Sequence, residues 1–264
     1  MTIHRFDTDT QSHQLLQPSM VQIYPRRTRY GDADAAGVPV EGIPDALVAK
    51  DAFKETIARC HELKIFPQYH QYASWCPVGS RWNQDGLGYC WTWSGTGAVM
   101  DVRGIEGKPT VQLAPVSMGY LVKWQNKGNY LESFIKGAQE QGIAPADYVS
   151  NQHAPSPQSF KVGWDTERAK YRLSAVWDTN ARDGDTTMIQ HCLSILAYGR
   201  PLQIALSWWG HALSLVAMRW DESVVNNIVW VIRNSHNEDD VIELTGSKGV
   251  PDEAYGFIST ELTE

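Results

Sequence analysis

The sequence predicts an α+β fold of two lobes, with a mainly helical first half packed against a β-rich second half. Three observations carry that expectation. The 264-residue chain is 42% apolar, enough for a sizeable core. Helix-compatible segments recur up to Tyr198, and after Pro201 short apolar, β-branched runs follow one another to Ser259. No internal repeat breaks this order. Residues 1–69 read as an N-terminal extension and 70–264 as the two-lobed domain, helical over 70–200 and β over 201–264 with a cleft between.

Taken in order, residues 1–45 are rich in Asp, Pro, Gly and Arg, with turn signals at Gly31-Asp32 and Gly37-Val38-Pro39, and predict an extended arm. From Pro44, apolar residues at Leu47, Phe53, Ile57, Cys60 and Leu63 recur at helical spacing and stop before Pro67. Cys60 lies on that stripe and reads as a small buried hydrophobe. A Trp- and Gly-dense stretch fills 75–97. Helices are then expected over 117–124, over 130–141 closed by Gly142, and over 185–198 closed by Gly199 and Pro201. Strands are expected at 202–208, 212–220, 228–233, 241–244 and 255–259.

Charge and composition exclude several classes. A net charge of −7 gives little attraction for phosphate backbones, and the basic-aromatic run Tyr24 to Tyr30 reads as a solvated tail, so no nucleic acid is expected as partner. The longest apolar runs fall far short of the ~20 residues that cross a bilayer, which predicts no membrane span. The first residues carry Asp7 and Asp9 where an export signal needs an apolar core, which places the chain in the cytoplasm or in an assembled particle. Cys60, Cys76, Cys90 and Cys192 form neither a disulfide framework nor a metal-ligand pattern, so no metal and no cofactor is expected.

Chemistry concentrates at three places. Cys90 follows loop glycines Gly86 and Gly88 and enters a helical segment, which sets its sulfur at the positive end of a helix; it reads equally as a nucleophile or as a buried structural thiol beside Trp91 and Trp93. His211 opens an apolar strand, and alone reads as a hydrogen-bonded core residue. Asn234 stops the next β run, where asparagine is usually a turn former.

Together, the ordered set Gln84, Cys90-Trp91, His211 and Asn234-Ser235 resembles the papain-like cysteine peptidase family. That family carries Gln six residues before a Cys-Trp pair, a His well over 100 residues later, and an Asn-Ser ending the next strand. Its Cys signature is met at Gly88, Cys90 and Trp91 and missed at Leu87 and Tyr89. The segments Leu113 to Val122, Gly128 to Ile135, Gly142-Ile143 and Ala254 to Ile258 are similar to further family segments, so the resemblance spans residues 74–260.

The resemblance implies a papain-like fold and a thiol peptidase. Cys90 is then the nucleophile, His211 the acid and base, Asn234 the residue that orients the imidazole, and Gln84 with the Cys90 N–H the oxyanion donors. It implies that Trp91 packs beneath the nucleophile, that Gly128 and Asn129 offer backbone groups to an extended peptide, and that Ala212 lines the adjacent side-chain pocket. The substrate implied is a peptide or a peptidoglycan cross-link peptide. Three departures sharpen the expectation. Leu87 and Asn126 to Asn129 lack cysteines that the family pairs, implying a domain that holds without them. Only Leu206 to Gly210 separate the strand from His211 where the family has a longer loop, and the chain ends soon after Ile258, implying a pocket short of one wall. His236 stands where the family has a shielding Trp, implying a wetter, weaker His211–Asn234 bond. The alternative is a structural or interaction protein on the same fold, such as a bacteriophage virion or tail component, with protein partners met through residues 1–69.

Overall fold

A computed structural model describes residues 4–11, 47–70, 83–84, 87–123, 128–150, 156–179, 184–235 and 241–260. Along the chain the elements are β1 His4–Asp7, α1 Phe53–Glu62, α2 Cys90–Ile105, α3 Val116–Leu121, α4 Leu131–Glu140 and α5 Trp164–Arg168. They continue with β2 Leu173–Asp178, α6 Gly184–Ala197, β3 Leu202–Leu206, β4 His211–Trp220, β5 Ile228–Arg233, β6 Val241–Thr245 and β7 Glu253–Thr260. This is an α+β fold.

Among the described residues seven strands form one sheet in the order β1-β6-β5-β4-β3-β7-β2. All neighbours are antiparallel except β1, which runs parallel to β6 with His4 opposite Ile242. Side chains alternate between faces along each strand, and the sequence of β3 shows the result. Leu202, Ile204 and Leu206 join a core with α1 and α6, while Ala205 packs on a second core built around α2. The second core holds Trp91, Phe134, Ala212, Tyr255 and Phe257.

Helix α2 lies on that second face and is buried from Trp91 through Arg103. Its run Ser94-Gly95-Thr96-Gly97-Ala98 is poor in helix propensity but small, which lets neighbours approach closely. A Cβ on Gly95 would sit 2.3 Å from the Phe134 ring of α4.

Three expectations change. Residues 4–7, read as part of a loose arm, are sheet-bound: Arg5 pairs at 2.8 Å with both Asp221 and the buried Glu243, which also holds Arg219. The rest of the arm, 12–46, lies outside the described residues. Helices α1 and α6 pack on the β side, where Ile57, Cys60, Cys192 and Leu193 share one core, so the segment from Phe53 to Phe66 is built into the β lobe. Strand β2 was not expected at all. Its six residues pair to β7 at the sheet edge with register shifts at Leu173/Ala175 and Ala175/Val176, which break the period-2 pattern that marks a strand in sequence.

Among the described residues no helix is long and apolar enough to cross a membrane, and no group of three His, Cys, Asp or Glu residues is placed to hold a metal ion. Cys60, Cys90 and Cys192 are free thiols, and Cys76 lies outside the described residues.

Candidate active site

Cys90 is the first residue of α2. The approach is a pair of tight turns, with Leu87 N–H donating to Gln84 C=O at 3.2 Å and Tyr89 N–H to Leu87 C=O at 2.7 Å. No side chain caps the helix, so its first N–H groups remain for the sulfur. The backbone N–H groups of Cys90, Trp91 and Ala212 all favour the thiolate, yet burial dominates and pushes the thiol up to about 11.

His211 opens β4 after the turn Ser207 to Gly210, which Gly210 closes with φ of 63°. Its Nε2–H donates to Asn234 Oδ1 at 2.8 Å, and the same oxygen accepts the Ser235 N–H at 2.8 Å. Asn234 directly follows Arg233, the last residue of β5, which adjoins β4 in the sheet. With Nε2 bonded to Asn234, Nδ1 is the ring atom suited to proton transfer. The Ala212 N–H that bears on the Cys90 sulfur belongs to the residue after His211, so the start of β4 and the start of α2 meet at the thiol.

The wetter bond implied by His236 is not observed. His211 is 4% and Asn234 5% exposed. Trp209, two residues ahead of the histidine, lays its ring against the imidazole with centroids 4.9 Å apart. Position 236 lies outside the described residues.

Gln84 is tied to the segment that carries Asn234. Its N–H donates to Ser235 C=O at 2.8 Å, and the Ser235 hydroxyl donates to Gln84 Oε1. One Nε2 hydrogen goes to Leu87 C=O at 2.6 Å, leaving the second for another acceptor. Thus Gln84, Cys90, His211 and Asn234 are joined through three adjoining pieces of chain.

Trp91 is fully buried in the core beneath Cys90. Ala212 pairs with Ala205 of β3, which pairs in turn with Glu253 of β7. By strand alternation these three side chains form one row on the α2 face, starting beside the thiol and ending in a carboxylate; neighbours in such a row are ~5 Å apart. Gly128 has φ of 64°, and Asn129 Oδ1 accepts the Tyr130 N–H and the Ser133 hydroxyl at the start of α4. Among the described residues no hydrogen bond links Gly128 or Asn129 to the other site residues, and the Asn129 Oδ1 is committed to the start of α4.

Sequence reasoning missed the polar ties that hold α2 to the sheet. Gln203 Nε2 donates to Trp91 C=O at 2.6 Å and to Ser94 Oγ at 2.9 Å, and Ser94 Oγ donates to Cys90 C=O at 2.7 Å. Ser214 Oγ donates to Ser94 C=O at 2.7 Å. Farther along, Arg233 pairs with the buried Asp101. The available signal was a Gln and a Ser inside otherwise apolar strands, since buried polar groups need partners.

No protein-family model and no curated protein matches this sequence. Solved structures do. Procathepsin L 3 of the Tenebrio molitor larval midgut is 14% identical with a TM-score of 0.52, covering 68% of this chain and 65% of that one. Xylellain, a cysteine protease from Xylella fastidiosa, is 16% identical with a TM-score of 0.50, covering 70% and 84%. Bromelain from Ananas comosus is 14% identical with a TM-score of 0.51, covering 68% and 92%. The chain therefore spans about two thirds of the length of the procathepsin chain it matches. The fold is that of the papain-like cysteine proteases.

Proposed function

We propose that the protein is a thiol hydrolase that cleaves peptide or peptidoglycan-peptide amide bonds through an acyl-enzyme on Cys90. The observation that carries the reading is the His211 Nε2–H bond to a buried Asn234, with β4 delivering the next residue's N–H to the Cys90 sulfur.

The chemistry follows from the geometry. His211 holds the proton of Cys90, and the thiolate attacks the amide carbon, forming a C–S bond. The carbonyl oxygen becomes an oxyanion, which the Cys90 N–H and the second Nε2 hydrogen of Gln84 can stabilise. His211 Nδ1–H passes its proton to the amine as the C–N bond breaks. Water then gives a proton back to His211 and attacks the thioester, and release of the acid returns that proton to the sulfur. Asn234 keeps Nδ1 aimed throughout.

A second reading, an interaction protein with an inert thiol, draws on the burial that pushes Cys90 up to about 11. Incubation with peptide and cross-link peptide libraries, with products read by mass spectrometry, separates the two. Cleavage abolished by Cys90→Ala supports the hydrolase. Intact libraries, together with wild-type Cys90 no more reactive than a free peptide thiol, reject it.

A further inference from the structure

We propose that Gln203 is a positioning residue for the Cys90 nucleophile: from β3 it heads a relay of hydrogen bonds, through the Ser94 hydroxyl, that ends on the amide joining Cys90 to Trp91. The inference deepens the hydrolase reading and rests on Cys90 being the nucleophile.

Strand alternation places the relay. Leu202, Ile204 and Leu206 of β3 join the core with α1 and α6, so Gln203 turns, like Ala205, toward α2. Opposite Gln203 on β4 stands Ser214, on the same face. On α2, Ser94 lies four residues after Cys90 and so one turn along the same side. All three polar side chains are buried, Gln203 completely. Gln203 Nε2 donates one hydrogen to Trp91 C=O at 2.6 Å and the other to Ser94 Oγ at 2.9 Å. Turned over, the amide would set Oε1 against the Trp91 carbonyl oxygen, so only this orientation fits. With its oxygen accepting from Gln203, the Ser94 hydroxyl gives its hydrogen to Cys90 C=O, 2.7 Å away. Every donor in the chain therefore points toward Cys90.

The Cys90 C=O and the Trp91 N–H are the two ends of one amide. A donor at its oxygen draws electron density from its nitrogen, and hydrogen bonds in such chains strengthen one another by ~10–30% each where water is excluded. The Trp91 N–H is one of the backbone groups that favour charge on the Cys90 sulfur. The relay thus sharpens a donor to the thiolate and pins the first turn of α2 where the start of β4 also reaches the thiol. Its cost is visible: Gln203 Oε1 is buried without a hydrogen bond among the described residues. A methionine of nearly the same length would fill the space with no such penalty, so what the glutamine adds is its pair of donors. Ser214 Oγ, which donates to Ser94 C=O at 2.7 Å, holds the same turn but lies off this route, because that carbonyl shares its amide with Gly95.

The test is the pH dependence of Cys90 labelling by iodoacetamide in the full chain, read by peptide mass spectrometry, which needs no turnover. Gln203→Met should label about three- to tenfold more slowly than wild type at pH 7 and reach the same plateau rate at a pH higher by about half a unit to one unit. Ser94→Ala should shift the profile likewise, and serves if Gln203→Met does not fold. The double variant should shift it no further than either single one, because both break the same chain. Ser214→Ala, which removes another tie to the same turn, should leave the profile in place whatever it does to melting. Profiles of Gln203→Met and Ser94→Ala that superimpose on wild type overturn the proposal. Additive shifts in the double variant overturn it too, as does an equal shift in Ser214→Ala, which would mark a general loosening of α2. A wild-type rate still climbing tenfold per pH unit at pH 10 would sink the hydrolase reading instead, and the relay would still be read from the ratio of rates below that pH.

Discussion

Replacing His211 with alanine should change the reactivity of Cys90 by about three orders of magnitude at neutral pH. In the folded chain burial sets the thiol at about 11 despite three backbone N–H groups on the sulfur. Without a cation nearby, the thiolate fraction at pH 7 is then about 10⁻⁴. If His211 is the base proposed above, an imidazolium brought to ~4 Å of the sulfur would stabilise the thiolate by roughly 4 kcal/mol at an effective dielectric of 20. That is about 3 pKa units and raises the thiolate fraction at pH 7 to about a tenth. The sign is fixed by the charges: desolvation penalises the thiolate and raises the pKa, while the imidazolium favours it and lowers the pKa. The assay is the rate of iodoacetamide labelling of the Cys90 peptide between pH 5 and 11, followed by mass spectrometry so that Cys60, Cys76 and Cys192 do not confuse the count. Wild type should climb only to about pH 8 and then level off, labelling about a thousandfold faster than His211→Ala at pH 6 and pH 7. His211→Ala should label slowly and climb tenfold per pH unit to beyond pH 10. Superimposed profiles, both still climbing at pH 10, would refute the ion pair and with it the proposed chemistry.

Three further outcomes follow from named contacts. Gln84→Ala should lower kcat by about 10²- to 10³-fold while leaving Cys90 labelling within a factor of three, since an oxyanion donor acts only on the transition state; equal loss of labelling would mark Gln84 as structural. Glu253, at the end of the row that starts beside Cys90, should favour substrates with a cationic side chain near the cleaved bond; Glu253→Lys should shift the kcat/KM ratio of matched Lys and Glu peptides at least tenfold, and an unchanged ratio would remove Glu253 from the groove. Arg233→Met should destabilise the fold by about 3–5 kcal/mol, because it strands the buried Asp101 carboxylate, and Asp101→Leu in the same chain should recover part of that in urea unfolding.

Much of the site was legible because its residues sit at punctuation points. Cys90 stands where glycines give way to helix, His211 where a turn gives way to strand, and Asn234 one residue past a β run, and each change of period is visible locally. The strand runs were legible for the same reason, as 228–233 shows by matching β5 residue for residue. What escaped depends on contacts far apart in sequence. Gln203 and Ser214 look like blemishes in apolar strands until α2 is laid across them. The pairing of Arg233 with Asp101 and of β1 with β6 has no local signature, since four residues such as His4 to Asp7 become a strand only when an edge is offered.

The parallel pairing of β1 with β6 also sets a timetable. Of the described strands β1 is made first and waits for β6, since Phe6 has no place until Leu244 arrives. Such distant pairings are slow to close, and a sheet of this kind completes only after most of the chain is made. Until then the Arg5 side chain and the buried Glu243 lack each other, and the outer edge of β6 stands open to any other strand.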